Sequence, residues 1–398
     1  MKTKNRVSER ENDTWDRTEM ESRVNYILNK KLELRKKAPY SAKTNDEVEG
    51  ILRKAFHKLG WTKANVSNLK RMSGGASKEQ FSFTVKFEND KDNNLGRRLV
   101  LRMDPYCSIA QTCRGREAEI QNAMIGVVPV APVIFVDPEG DILGQPGLIS
   151  EFVDGVTAPT DLNLRAVSGI GSSYGEWAKK IAPQYIDCLV KIHRFNVNSI
   201  SFKYFELPVA GTNQAALQQV NWWSKVWWDD CVEPVPIITL AERWLRDNAP
   251  VCNNPVVVHC DFRTGNFMFQ EPSGEFTAVL DWELCHIGDY HEDLAWTAQK
   301  LFGSRDAEGN FLVCGLLPRD EFIRQYEVKS GNKVDPEILR YYEVLNAYKC
   351  AVMDLGAAVK AAQQSTNHQD LVLSWLGSAG SVFLAQLVSL IRGGDNAA

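Results

Sequence analysis

No two of the nine cysteines stand in a C-x-x-C pair, and most of them lie among apolar neighbours. That spacing excludes a zinc ribbon or a paired redox motif, and an odd number fits no closed disulfide framework. Reduced, buried thiols in a cytoplasmic protein are expected. Charge of one sign is not in excess either: the net charge is -4, from 46 Lys and Arg against 50 Asp and Glu. Nucleic acid is therefore not an expected partner. No apolar run follows M-K-T-K-N-R, so a secretory signal is not expected, and no internal repeat is present. One stretch, Leu371 to Ile391, holds no formal charge over 21 residues and is long enough to span a bilayer. It contains four Ser, one Gln and two Gly, so a helix packed on the rest of the protein is expected instead of a membrane anchor.

What is present divides the 398 residues in three. Residues 1–43 are dense in Lys, Arg and Glu, with Val24, Ile27, Leu28 and Leu32 at helical spacing. An accessory arm is expected there, laid on a partner such as a second copy or packed on its own domain. Thr44 and Glu47 form a capping box, and Val48, Ile51, Leu52, Phe56 and Leu59 then repeat as a helix up to Gly60. Residues 71–87 read as a Gly loop entering a strand, 98–103 as a second strand, and Cys113 to Met124 as a helix. Strands are read over 128–136 and 147–155 about the turn D-P-E-G-D. This places a small, mostly antiparallel sheet in residues 44–154. From 155 to 398 the pattern turns helical, at about 172–195, 215–229, 236–247, 318–327, 335–362 and 370–391. The fold class is α+β.

The exception in the helical part is V-V-V-H-C-D-F-R-T-G-N-F-M-F, 256–269, where polar groups stand between apolar runs. Phe267–Gln270 and Phe276–Leu280 flank P-S-G-E, a good turn sequence, so a hairpin is expected. With Ser273 and Gly274 at its tip, Asn266 falls across from Asp281, and the loop from Asp261 curls back to the same end. An amide oxygen and nearby carboxylates suit Mg²⁺. Arg263 in that loop makes sense if a phosphate lies between. On the strand L-V-L-R-M, alternation puts Val100 and Arg102 on one face, and a buried arginine calls for an anion. Glu117 in the next helix is the candidate partner.

H-C-D-F-R-T-G-N followed by L-D-W-E resembles the catalytic and metal motifs of the aminoglycoside phosphotransferase-like kinases, small-molecule relatives of the protein kinases. The resemblance covers about residues 47–390 and implies a bilobal fold, a nucleotide-binding sheet lobe before a larger catalytic helical lobe. Asp261 would then orient an acceptor hydroxyl and take its proton, Arg263 would contact the transferred phosphate, and Asn266 and Asp281 would hold Mg²⁺ on ATP. His259 would support the loop. Ser73, Gly74, Gly75, Ala76 and Ser77 would lie over the phosphates, although the G-K-[ST] ending of a Walker A loop is missing. Arg102, in place of the usual Lys, would pair with Glu117, and backbone groups of Ser150, Glu151 and Val153 would meet adenine. E-R-W-L, G-D-Y-H-E-D-L-A-W and Y-Y-E-V-L-N-A-Y-K are spaced as in the branch associated with acyl-CoA dehydrogenases. That branch implies a small acceptor with a hydroxyl, such as a hydroxy acid or hydroxyacyl thioester. A catalytically weak nucleotide- or partner-binding module and an antibiotic kinase are the alternatives. N-W-W-S-K-V-W-W, 221–228, is expected to divide its tryptophans between core and an acceptor pocket wall.

Overall fold

The computed structural model describes residues 20–72, 78–88, 96–162 and 171–393. The loop Ser73–Ser77 and the first part of the arm lie outside the described residues. Apolar spacing after Met20 winds the chain into α1 (Ser22–Arg35), whose buried stripe is Val24, Ile27, Leu28, Lys31 and Leu34, with Leu32 only half-buried. The stripe is spent on this same chain. Val24, Ile27 and Leu28 join the large core, and Lys31 reaches Asp230.

Thr44 and Glu47 cap one another reciprocally and start α2 (Asn45–Lys58). Val48, Leu52 and Phe56 of α2 share a core with the inward residues of the sheet. The strands are β1 (Asn65–Arg71), β2 (Glu79–Lys86) and β3 (Arg97–Met103), and then, after α3 (Arg114–Ala123), β4 (Val133–Asp137) and β5 (Gly147–Glu151). Their antiparallel order is β1-β2-β3-β5-β4. β4 starts later than expected because Pro129 and Pro132 have no N–H to give a ladder. In β3, Leu99, Leu101 and Met103 are buried in the sheet core and Arg102 faces the other way.

The chain leaves this lobe through Gly155, at φ 148°, where a Cβ would lie 2.8 Å from Thr277 Oγ1. Beyond it come α4 (Ala178–Arg194), α5 (Gln214–Asp230) and α6 (Pro236–Asp247). The short strands β6 (Val256–Val258), β7 (Phe267–Phe269), β8 (Phe276–Val279) and β9 (His286–Gly288) precede α7 (Tyr290–Thr297) and α8 (Arg319–Ser330). α9 (Pro336–Val352) widens into one π-helical stretch, Met353–Ala358, before α10 (Val359–Gln363) and α11 (Asp370–Ile391). The result is a sheet lobe in front of a larger helical lobe.

One expectation needs correction here, and one is met. Trp222, Trp223 and Trp227 of α5 are all buried in the core, so only Trp228, 49% exposed, is left facing solvent. And α11 packs against α9 and the π-helical stretch along one face only, through Leu373, Gly377, Gly380, Phe383, Leu387 and Leu390. It is the one helix among the described residues long and apolar enough to cross a membrane.

Candidate active site

Asp293, in the first turn of α7, shapes the loop after β6. Its oxygens accept the N–H groups of His259 at 2.8 Å and Cys260 at 2.7 Å, and His193 Nε2 lies 3.0 Å away. Burial opposes its ionisation, yet His193 and these donors hold its pKa below the usual range. Cys260 turns the chain with a left-handed φ of 60°. His259 then ties two loops together: Nδ1 accepts the Asp261 N–H at 3.2 Å, which leaves Nε2 to donate to the Leu280 carbonyl at 3.0 Å. Burial pushes its pKa down, so the ring is neutral and its work is support.

Asp261 is the group this loop presents. Arg263 Nε at 2.9 Å and Trp296 Nε1 at 3.0 Å donate to Oδ1, and Asn266 Nδ2 at 2.5 Å donates to Oδ2. Burial lifts its pKa to about 6. Arg263 pulls the other way, neighbouring Asp281 adds to the rise, and Trp296 and Asn266 offset part of it. A carboxylate oriented by three donors and titrating near neutrality is suited to receive a proton from a hydroxyl. Arg263 also donates to the Thr264 carbonyl and lies over the Phe302 ring.

The hairpin register differs from expectation. A bulge between Met268 and Phe269 shifts the pairing, so Phe267 faces Val279 and the Asn266 carbonyl accepts from the Leu280 N–H at 2.8 Å. Asp281 is thus one residue past the position opposite Asn266, and a left-handed turn at φ 65° follows the strand end. The two side chains belong to one site all the same. Asn266 is bonded to Asp261, and Asp281 acts electrostatically on both Asp261 and Arg263.

Arg102 and Glu117 meet at 2.6 Å as expected, and the other end of the guanidinium reaches Asp281 Oδ1 at 2.8 Å. The pair is the visible part of a buried network that the sequence reading missed. Lys78 Nζ lies 3.2 Å from Asp104 and 3.4 Å from Glu283. Arg114 bonds Glu117, contacts Asp104 at 3.2 Å and Glu283 at 2.9 Å. Burial disfavours the charge on Glu283, but Lys78, Arg114 and Arg102 hold its pKa down at about 2. Two lobes are joined here, two residues from Asp281. The available signal was Arg114 one helical turn before Glu117, and Lys78 directly after the Gly loop.

Residues that fit a hard dication are present. Asn266 Nδ2 is spent on the Asp261 carbonyl and carboxylate, which fixes the amide with Oδ1 as its remaining acceptor. Asp281 keeps a third of its side chain exposed. The network sets Lys78, Arg102 and Arg114 against Asp104, Glu117, Asp281 and Glu283, three cations to four carboxylates, so added positive charge is favoured. A second group of ligand-type side chains, Cys260, His286 and Glu292, does not read as a metal site. The Lys349 ammonium already bonds Glu292 and lies 3.4 Å from Cys260 Sγ. In the strand leading to the second lobe, the Glu151 and Phe152 N–H groups are taken by the Pro132 and Arg98 carbonyls, and the Glu151 carboxylate pairs with Arg97. Ser150 is buried within β5, facing Val100 and Val133. Val153 makes no hydrogen bond among the described residues. All nine cysteines are free thiols, eight of them buried.

The family profile described as "Phosphotransferase enzyme family" matches residues 70–335. Acyl-CoA dehydrogenase family member 10 of Mus musculus is 26% identical over 247 residues, 59% of this chain and 22% of the relative. Acyl-CoA dehydrogenase family member 11 of Homo sapiens is 26% identical over 284 residues, 69% of this chain and 35% of the relative. The chain therefore spans about a third or less of these relatives. Among solved structures, one from Ralstonia eutropha superposes with a TM-score of 0.60 at 18% identity, covering 87% of this chain and 99% of that one. Aminoglycoside phosphotransferase APH(4)-Ia, with ADP and hygromycin B, gives 0.53 at 16% identity, covering 85% and 98%. At these identities the likeness is one of fold.

Proposed function

The chain belongs to the phosphotransferase enzyme family, and from that premise we propose that it transfers the terminal phosphoryl group of ATP, with Mg²⁺, to a hydroxyl of a small molecule. The observation that carries the reading is the Asp261 carboxylate, oriented by Arg263, Trp296 and Asn266 beside the carboxylate of Asp281. Asp261 aligns the acceptor hydroxyl and accepts its proton, and Arg263 steadies the charge of the transferred group from the same loop. Asn266 Oδ1 and Asp281 are the residues that would hold the metal, which supplies charge neutralisation at the phosphates when bound. Arg102 is anchored by Glu117 and carries its positive charge to the phosphate side of the cleft, and Val153 offers its backbone to the base.

The acceptor is a hydroxy acid or a hydroxyacyl thioester. Three of the four tryptophans of α5 are buried, which leaves no aromatic wall of the kind expected from the sequence, so the acyl reading rests on likeness to the acyl-CoA dehydrogenase relatives. The test is ADP release and phosphoproduct formation over a panel of hydroxy acids and hydroxyacyl-CoAs. Turnover is expected with at least one, falling on the order of 10³-fold or more in Asp261→Asn while ATP still raises the melting temperature. ATP binding without turnover across the whole panel would reject the transferase reading and leave a nucleotide-binding module.

A further inference from the structure

Helix α11 has two faces, and the described residues cover only one. Opposite its buried residues, Leu371, Trp375, Ser378, Val382, Ala385 and Ser389 are all exposed, with Leu371 at 85%, Trp375 at 62% and Val382 at 56%. Their spacing runs four, three, four, three, four, the seam pattern of helices that pair along their length. No formal charge interrupts it.

This seam is complementary to itself when reversed. Place Ser378 against Val382 of a second copy about a two-fold axis, and Trp375 falls opposite Ala385 and Leu371 opposite Ser389. Each layer then sets a large side chain against a small one, as close interhelical packing requires. The same register brings Asp370 towards Arg392 of the other copy at both ends. Neither has an ion pair among the described residues, Asp370 being half-buried and Arg392 exposed. A helix of 22 residues is about 33 Å long, so two such faces bury on the order of 1,000 Å² in total, the lower bound for a specific interface. We propose that this face of α11 is a symmetric, antiparallel interface between two copies of this chain.

Sedimentation equilibrium of the full chain tests it. The wild type is expected to be a dimer at micromolar concentration. Trp375→Glu should raise the dissociation constant by about tenfold or more, the scale of one central aromatic anchor, with an unchanged circular dichroism spectrum. Asp370→Arg and Arg392→Asp should each weaken the dimer, and the double exchange should restore it, a rescue that only pairing across the axis explains. A wild type that stays monomeric at tens of micromolar overturns the proposal. So does a dimer indifferent to Trp375→Glu, or a charge exchange without rescue. A monomer that floats with phosphatidylcholine–phosphatidylglycerol vesicles also overturns it, and assigns the face to a lipid surface.

Discussion

Asp354 is buried in the π-helical stretch after α9, its carboxylate makes no hydrogen bond among the described residues, and burial lifts its pKa to about 7. Asp261 meets three donors and still stands near 6. For a carboxyl raised in the folded state, ionisation opposes folding. Stability from this group is full below the unfolded value near 4 and is lost as pH rises towards 7. Asp354→Asn removes that burden, so the variant should be more stable than wild type at pH 8 by on the order of 1–3 kcal/mol, and no more stable at pH 4.5. Urea unfolding at the two pH values measures it, and equal differences at both would show that titration of Asp354 is not the cause. Legibility at this scale followed sequence distance. Asp261, Arg263 and Asn266 sit in one loop and could be read together. Lys78 and Arg114 act on the same site from positions beside the Gly loop and one helical turn before Glu117, whereas nothing local in the surroundings of Trp296 and Asp104 announces their part in it. Asp354 was opaque for another reason: whether a lone carboxylate finds a donor depends entirely on tertiary packing.

Among the elements, helices were the most readable, because capping residues and apolar spacing act within a few positions. Thr44 and Glu47 start α2 as the capping box requires. Strand details depended on pairing partners. The bulge at Met268 and Phe269 moved the hairpin by one position, and two prolines delayed β4. The shift leaves Asp281 in a left-handed conformation, which costs a residue with a Cβ roughly 1–2 kcal/mol unless it is Asn or Asp. Asp281→Asn, Asp281→Gly and Asp281→Ala all remove the same carboxylate and its pairing with Arg102. Activity should fall together in all three. Stability should separate them, with Gly and Asn above Ala by about 1 kcal/mol, since only Ala resists the backbone. Chemical denaturation of the three variants gives the order, and an alanine variant as stable as the glycine one would remove the backbone argument.

At the scale of the whole molecule, α1 ties the two lobes from outside the cleft. Arg23 and Lys30 pair with Glu139, in the turn between β4 and β5, at 2.7 and 2.8 Å. Glu21, just before the helix, pairs with Arg116 of α3 at 2.5 Å. On its other side, Lys31 and Arg35 converge on Asp230 at the end of α5, with Lys31 at 2.8 Å and the Asp230 side chain fully buried. Within the segment expected as an arm, α1 therefore packs on its own chain, between the sheet lobe and the helical lobe. Breaking the buried cluster from one side leaves charge without an answer, so Asp230→Ala should cost roughly 3–5 kcal/mol. Replacing all three charges, in Lys31→Met, Arg35→Met and Asp230→Leu together, should recover most of that loss, because no ion is then left in a low-dielectric site. Urea midpoints report the energies, and hydrogen exchange reports the place. In Asp230→Ala the amides of α1 should lose protection before those of the β1–β5 sheet or of α9. Uniform loss across both lobes would mean that α1 is inseparable from the global fold, whereas no loss in α1 would mean that Glu139 and Arg116 hold it without Asp230.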